Sequence, residues 1–393
     1  MKKILVLLLT AAFTLFFFSC TSVSREDEGT TPPGLIGPYL QNMTSRSVVI
    51  AWATPAGSTV VTTADTLYKQ VNRYEYHSTL IYGLQPDTEY SYDIFHDGTD
   101  RGKGTFRTFP AGPQPFNFCV LGDTRTGHEA HRRIVQRIIE EHPLFVINTG
   151  DLVARGNDIT NWETFFDINK ELIRNVPYFT VLGNHEQDSP NYYDFFNLPG
   201  NERYYYFSVG DALFIVLDME GPDLPTPSYL KGGAREEFWE GIAGDYFLRE
   251  KAWLENLLTL NDDAGYIFVF FHPTWYSIKA SRVAEARRRR AFWGNIFERH
   301  RVSAVMNGHD HYYEHAFHGG THYIVTAGGG APLYNTDAIQ PETVKYEKVH
   351  HYLSIDVDEE QTIIRAVRID GTLIEKIVIP RRNALPGDME MME

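Results

Sequence analysis

The chain has 393 residues, of which 43% are hydrophobic and 22% charged, and it carries a formal net charge of −15. That length suits two globular domains. The acidic balance argues against a general binder of nucleic acid or anionic membranes, so an anionic substrate would need a local positive centre, which metal ions supply.

Lys2-Lys3 precede an apolar run from Ile4 to Phe18 that is short for a membrane span and reads as a signal peptide over residues 1–19. Ser19-Cys20 resembles a bacterial lipoprotein processing site, although Phe17 departs from the usual aliphatic residue. The expected mature chain therefore starts at a lipid-bearing Cys20, is exported, and is held in the bacterial cell envelope by its lipid. An ordinary secretory signal with an incidental cysteine is the alternative. Residues 20–33 are polar and read as a tether. Only Cys119 then remains, so no internal disulfide is expected, and its strand-like surroundings make it a buried small hydrophobe.

Residues 34–110 read as a small β-sandwich with a structural role. Val48–Trp52, Thr59–Thr62, the stretch around Tyr90 and Gly104–Thr108 are strand-like, with turn signals between them. Residues 111–115 are a linker. From Phe116 to Pro380 strands and helices alternate, giving an α/β domain. Helices are expected over His131–Glu141, Trp162–Arg174, Tyr246–Leu260 and Glu285–His300. A hairpin is expected about Gly210-Asp211, and Gly221–Gly244 reads as an irregular insertion. Arg287–Arg290 would grip a phosphate or form a solvated face; consecutive helical residues diverge, which favours the solvated face.

Five strand ends in this domain carry ligand-type residues: Asp123, Asp151, Asn184 with His185, His272, and His309 with His311. Gly-Asp and Gly-Asn are also turn chemistry, and any one of these ends alone would be unremarked. Together they put carboxylate, amide and imidazole donors on one rim of a sheet, a set suited to a pair of zinc, manganese or iron ions. Such a pair binds phosphoryl oxygens and activates water near neutral pH.

The ordered blocks Gly122-Asp123, Gly150-Asp151, Gly183-Asn184-His185-Glu186, Val269–His272 and Gly308-His309-Asp310-His311 resemble those of the metallophosphoesterase (calcineurin-like) superfamily. With Gly37–Gln41, Trp52 and the Leu84-Pro86-Thr88-Tyr90 spacing before them, the chain resembles its purple-acid-phosphatase-like branch. That resemblance implies a fibronectin type III-like domain over 34–110 and a two-sheet α/β metallophosphoesterase sandwich over 116–380. It also implies a centre of two divalent or mixed-valence ions (Fe, Zn or Mn). Asp123 and His311 would bind the first ion, Asp151 would bridge, and Asn184, His272 and His309 would hold the second. His185 would be the acid, or would stabilise the leaving oxygen. Two positions depart from the pattern: Arg125 stands where a histidine ligand is frequent, and Ala154 where the purple enzymes have a tyrosine. His128 or solvent would complete the first ion. Arg125 would meet substrate phosphate or pair with a carboxylate. The implied partner is a phosphate-ester small molecule, with no nucleic acid as a stable partner. A phosphomonoesterase is expected, a phosphodiesterase is the runner-up, and a binding lipoprotein with a decayed site is the rival outside enzymes.

Overall fold

The computed structural model describes residues 2–8, 34–56, 58–62, 67–71, 73–221 and 233–382. Cys20, most of the expected signal segment, the tether and residues 222–232 of the insertion lie outside them.

Ile36–Gln41, Ser47–Pro55 and Tyr74–Tyr82 form one antiparallel sheet. Glu89–His96 and Thr99–Arg107 form a second, and Lys2–Leu8 lies parallel along its edge. The buried Trp52 of the first sheet meets His96 of the second at 6.0 Å between ring centres. The Tyr90 hydroxyl accepts the Gln85 N–H at 2.9 Å, bracing the turn that the Leu84–Tyr90 spacing marked. This β region is seated on the rest of the chain by polar ties. Tyr39 donates to the Phe195 carbonyl (2.8 Å), Tyr92 to that of Arg174 (2.8 Å) and Tyr74 to the Glu163 carboxylate (2.6 Å).

The remaining chain is two sheets face to face. The first has strand order Tyr178–Thr180, Phe145–Asn148, Phe116–Leu121, His351–Val357, Gln361–Arg368, Leu373–Pro380. The second runs Tyr205–Val209, Ala212–Val216, Tyr266–Phe271, Ala304–Asn307, Thr321–Thr326, Tyr313–His318, Thr343–Glu347. Phenylalanines fill the space between them. Phe118 stacks on Phe145 at 5.0 Å and meets Phe214 edge-on at 5.2 Å, while Phe179 stacks on Phe207 at 4.0 Å. Such pairs add about 0.5–1.5 kcal/mol each beyond area burial. Strand alternation divides the second sheet. Phe214, Phe268, Phe270 and Met306 face the first sheet, whereas Leu213, Ile215, Ile267, Val269 and Val305 pack with Leu254, Leu258, Trp293 and Phe297 of the helices outside.

Helices His128–Glu141 and Ile159–Ile173 pack together, the latter capped by the Asp158 carboxylate at the Thr160 N–H. Two expectations need correction. The insertion is not irregular throughout, because one helix runs from Gly233 to Leu260. The helix expected over 285–300 is two, Ala280–Trp293 and Ile296–Arg299, separated where Gly294 takes φ +68° and ends the first. The arginine run divides. Arg287 and Arg288 are exposed, but Arg289 and Arg290 are half-buried, and Arg290 donates to the Trp275 carbonyl over the Tyr276 ring.

Candidate metal centre

The parallel strands Phe116–Leu121, Phe145–Asn148 and Tyr178–Thr180 end on the same rim as Tyr266–Phe271 and Ala304–Asn307 of the facing sheet. The turns beyond them bring Asp123, Asp151, His272, His309 and His311 together. Asp123, Asp151 and His309 sit at φ +57°, +54° and +72°, a region costly for side-chain-bearing residues and accepted where a turn must aim a ligand inward. Glycines keep the turns tight. A Cβ on Gly308 would lie 2.7 Å from Asp123 Oδ2, and one on Gly150 would lie 2.7 Å from His272 Nδ1.

His272 and His311 are each oriented by a backbone carbonyl. His272 Nδ1 lies 2.8 Å from the Thr149 carbonyl oxygen and His311 Nδ1 2.7 Å from that of Pro332. A carbonyl only accepts, so each Nδ1 carries the hydrogen and each Nε2 presents a lone pair. Those lone pairs face carboxylates: His272 Nε2 is 3.2 Å from Asp151 Oδ1, and His311 Nε2 is 3.2 Å from Asp123 Oδ1. His309 Nδ1 also lies 3.2 Å from His272 Nε2. Acceptors aimed at acceptors in a buried place need a cation or a proton between them. Asp123 Oδ1 is buried with no hydrogen-bond partner, and Asp123, Asp151 and His272 offer ligand atoms within 4.8 Å of one another. The donors present therefore fit metal ions.

With protein groups alone, the proton takes that place. Burial by itself would lower the His272 pKa, yet Asp151, with Asp123 and Glu220 further off, raises it to about 10. Burial would raise Asp151, but His272 and His185 hold it well below the usual carboxylate range. Burial, then the charge of His272, pushes His309 down, keeping its lone pair free.

His185 donates its backbone N–H to Asp151 Oδ1 at 3.0 Å. Its Nδ1 donates to the Ala154 carbonyl at 2.6 Å, leaving Nε2 3.9 Å from Asp151 Oδ2. Asn184 is exposed, between this residue and Gly183, whose added Cβ would touch Asp151. Arg125 pairs with a carboxylate, its Nε 3.2 Å from Asp151 Oδ2 and its Nη2 3.5 Å from His311 Nε2. His128 is not brought in. It is an exposed residue opening the helix, and among the described residues no group of three ligand-type side chains includes it.

Several residues of the site carry no role in the sequence reading. The buried Glu186 carboxylate accepts the backbone N–H groups of Gly183 (2.8 Å), Asp151 (2.9 Å) and Leu152 (2.9 Å), so it clamps two ligand turns together. Burial, and secondly the Asp151 charge, raise its pKa to about 8 against those bonds. Asp310 braces the His309–His311 turn by accepting from Ser277 (2.5 Å) and Tyr312 (2.6 Å) and by pairing with Arg282. Tyr334 stacks on His311 at 4.1 Å. Their place inside Gly-Asn-His-Glu and His-Asp-His is the available signal for Glu186 and Asp310. Tyr334 directly follows the Gly328-Gly329-Gly330-Ala331-Pro332-Leu333 loop, whose Pro332 carbonyl also orients His311.

Comparison with known proteins agrees with this geometry. Two uncharacterized proteins of Mycobacterium tuberculosis are 28% identical over 267 residues, 59% of this chain and 49% of theirs, so the chain spans about half the length of these relatives. The Fe(3+)-Zn(2+) purple acid phosphatase 12 of Arabidopsis thaliana is 23% identical over 332 residues, 72% of this chain and 66% of that one. The purple acid phosphatase PPD1 of yellow lupin, Lupinus luteus, has a similar fold, with a TM-score of 0.68 at 16% identity over 90% of this chain and 76% of that chain. Residues 116–313, half of the chain and the stretch that carries every ligand-type residue from Asp123 to His311, match the calcineurin-like phosphoesterase family, and the chain belongs to that family.

Proposed function

We propose that the protein hydrolyses phosphate monoesters at a metal centre built from Asp123, Asp151, Asn184, His272, His309 and His311. The observation that carries this reading is the pair of imidazole lone pairs held 3.2 Å from carboxylate oxygens, an arrangement a cation stabilises and water alone does not. Metal ions bound there supply Lewis acidity toward the phosphoryl oxygens and an activated water. Asp151 would be among the residues that hold the ions, its Oδ1 facing His272 and its Oδ2 facing Arg125. His185, half-buried with Nε2 unbonded on the same side, is placed to give a proton to the leaving oxygen. The Thr149 and Pro332 carbonyls hold the two ligand rings in the tautomer that keeps Nε2 facing inward. Glu186 keeps the Gly183 and Asp151 turns at one spacing while substrate enters.

The pairing of a β-sandwich of fibronectin type III kind with this domain, and the purple acid phosphatase relative, support a monoesterase over a phosphodiesterase. The leader and Cys20 support export and lipid anchoring in the cell envelope. The test is p-nitrophenyl phosphate against its bis ester, with manganese, zinc or iron added. Faster release from the monoester is expected. Preference for the diester would move the assignment to a phosphodiesterase, and no release from either would leave the decayed-site reading.

A further inference from the structure

Asp151 has two oxygens, and its neighbours treat them differently. Oδ1 faces His272 Nε2 at 3.2 Å and takes the His185 backbone N–H at 3.0 Å. Oδ2 faces the guanidinium of Arg125, with Nε at 3.2 Å. A bridging carboxylate would offer Oδ2 to the ion on the Asp123–His311 side. The other donors of that side are Asp123 Oδ1 and His311 Nε2, and Arg125 Nη2 lies 3.5 Å from the latter. One fixed cation therefore contacts two of the three donors that a second ion would use. Its side chain is only 15% exposed, so solvent screens little of its charge. On the other side, among the described residues, no arginine or lysine hydrogen-bonds His272 Nε2, His309 Nδ1 or Asp151 Oδ1; the charges of Arg282 and Arg289 act on His309 without such a contact.

From this asymmetry we propose that the chain holds one metal ion tightly, on the Asp151–His272–His309 side. Arg125 stands as the second positive charge, in place of a tightly held second ion. The inference rests on the metal reading of the site, and it sharpens that reading by making the two positions unequal. A guanidinium cannot activate water, because it keeps its protons throughout the physiological range. Its role is to offset charge on Asp151 and on a phosphoryl oxygen that approaches it, as an arginine fork does at other phosphate sites. The ion on the other side would then carry the water. The side chain at 125 thereby sets metal stoichiometry, a property that can be read without any turnover.

The test is metal content after loading with manganese and exhaustive dialysis, in wild type, Arg125→His and Arg125→Lys. Arg125→His removes the fixed charge and offers an imidazole; Arg125→Lys keeps the charge. The expected result is about one ion per chain in wild type and Arg125→Lys, and about two in Arg125→His. A second readout needs no variant. Manganese-loaded wild type should give the six-line electron paramagnetic resonance spectrum of an isolated ion, not the coupled spectrum of two ions roughly 3.5–4 Å apart. Two retained ions or a coupled spectrum in wild type overturns the proposal, and so does an Arg125→His protein that folds yet retains no more than wild type. Phosphate release is assayed separately. A chain that retains one ion and hydrolyses no ester would count against the proposed activity and leave this inference standing.

Discussion

At the scale of single residues, the site is a set of side chains whose partners fix what they can do. Glu186 shows how much depends on a group that touches no substrate. Its carboxylate accepts three short backbone N–H bonds from two ligand turns. Glu186→Gln would turn an amide N–H₂ toward one of those donors, costing about 1–3 kcal/mol for a buried N–H left unpaired and weakening metal binding about 10–100-fold. Thermal unfolding without metal and a metal titration check the two effects separately. His185 should behave differently. It lies 3.9 Å from Asp151 Oδ2 and is not needed to gather the carboxylates. His185→Ala should lower kcat about 10²–10⁴-fold with metal content unchanged; loss of metal instead would make it a ligand. Asp123, Asp151, His272, His309 and His311 were legible in the sequence because each follows a short apolar strand, and a strand end fixes where the next side chain goes. The role of Glu186 is not legible in the sequence, because its bonds from Asp151 and Leu152 come from residues more than thirty positions away.

At the scale of elements, strand ends converge only because their turns contain glycine. Gly150 has φ +98°, and an added Cβ would lie 2.7 Å from His272 Nδ1 and 3.0 Å from the Gly183 nitrogen. Gly150→Ala is therefore strained in its backbone and crowds two ligand turns at once. It should lose metal retention while keeping its far-ultraviolet circular dichroism, since the phenylalanine core lies away from this rim. A variant that retains metal as wild type does would show that the turn has room to spare. The strands themselves followed from apolar runs, as in Tyr266–Phe271, buried at every position. The helices were less legible. Ala280–Trp293 begins five residues before the expected start, because Lys279 makes no side-chain cap and the Ala280 N–H is met by Asp337 from a distant loop. Its end at Gly294 was a signal that the arginine run obscured. The half-buried Arg290 depends on the Trp275–Tyr276 loop packed against the helix, which no periodicity within it reports, whereas Arg289 pairs with Glu285 one turn back.

At the scale of the whole molecule, buried histidines give the fold its own acid sensitivity. His351 is buried between strand and loop with its Nδ1 donating to the Val349 carbonyl at 3.0 Å, and burial pushes its pKa down to about 4. Burial likewise holds His131 at about 3 and His322 at about 4. Each folded pKa lies below the unfolded value, so between about pH 6.5 and 4 the unfolded chain binds more protons, and stability falls as pH falls. The slope is about 1.4 kcal/mol per pH unit for each histidine in that window. Urea unfolding at several pH values checks this: His351→Asn should flatten the slope by about one histidine's share, and an unchanged slope would mean that His351 is protonated in the fold. Two facing sheets, a β-sandwich seated on them and one rim of donors then form a single account, in which catalysis depends on cations held by protein ligands. The most direct test of it is phosphate release from p-nitrophenyl phosphate by purified wild type and Asp151→Ala, before and after chelation and metal return. The account predicts release by wild type that chelation abolishes and manganese, zinc or iron restores, with none from Asp151→Ala under any condition. Release that survives chelation, or that Asp151→Ala retains, would contradict it.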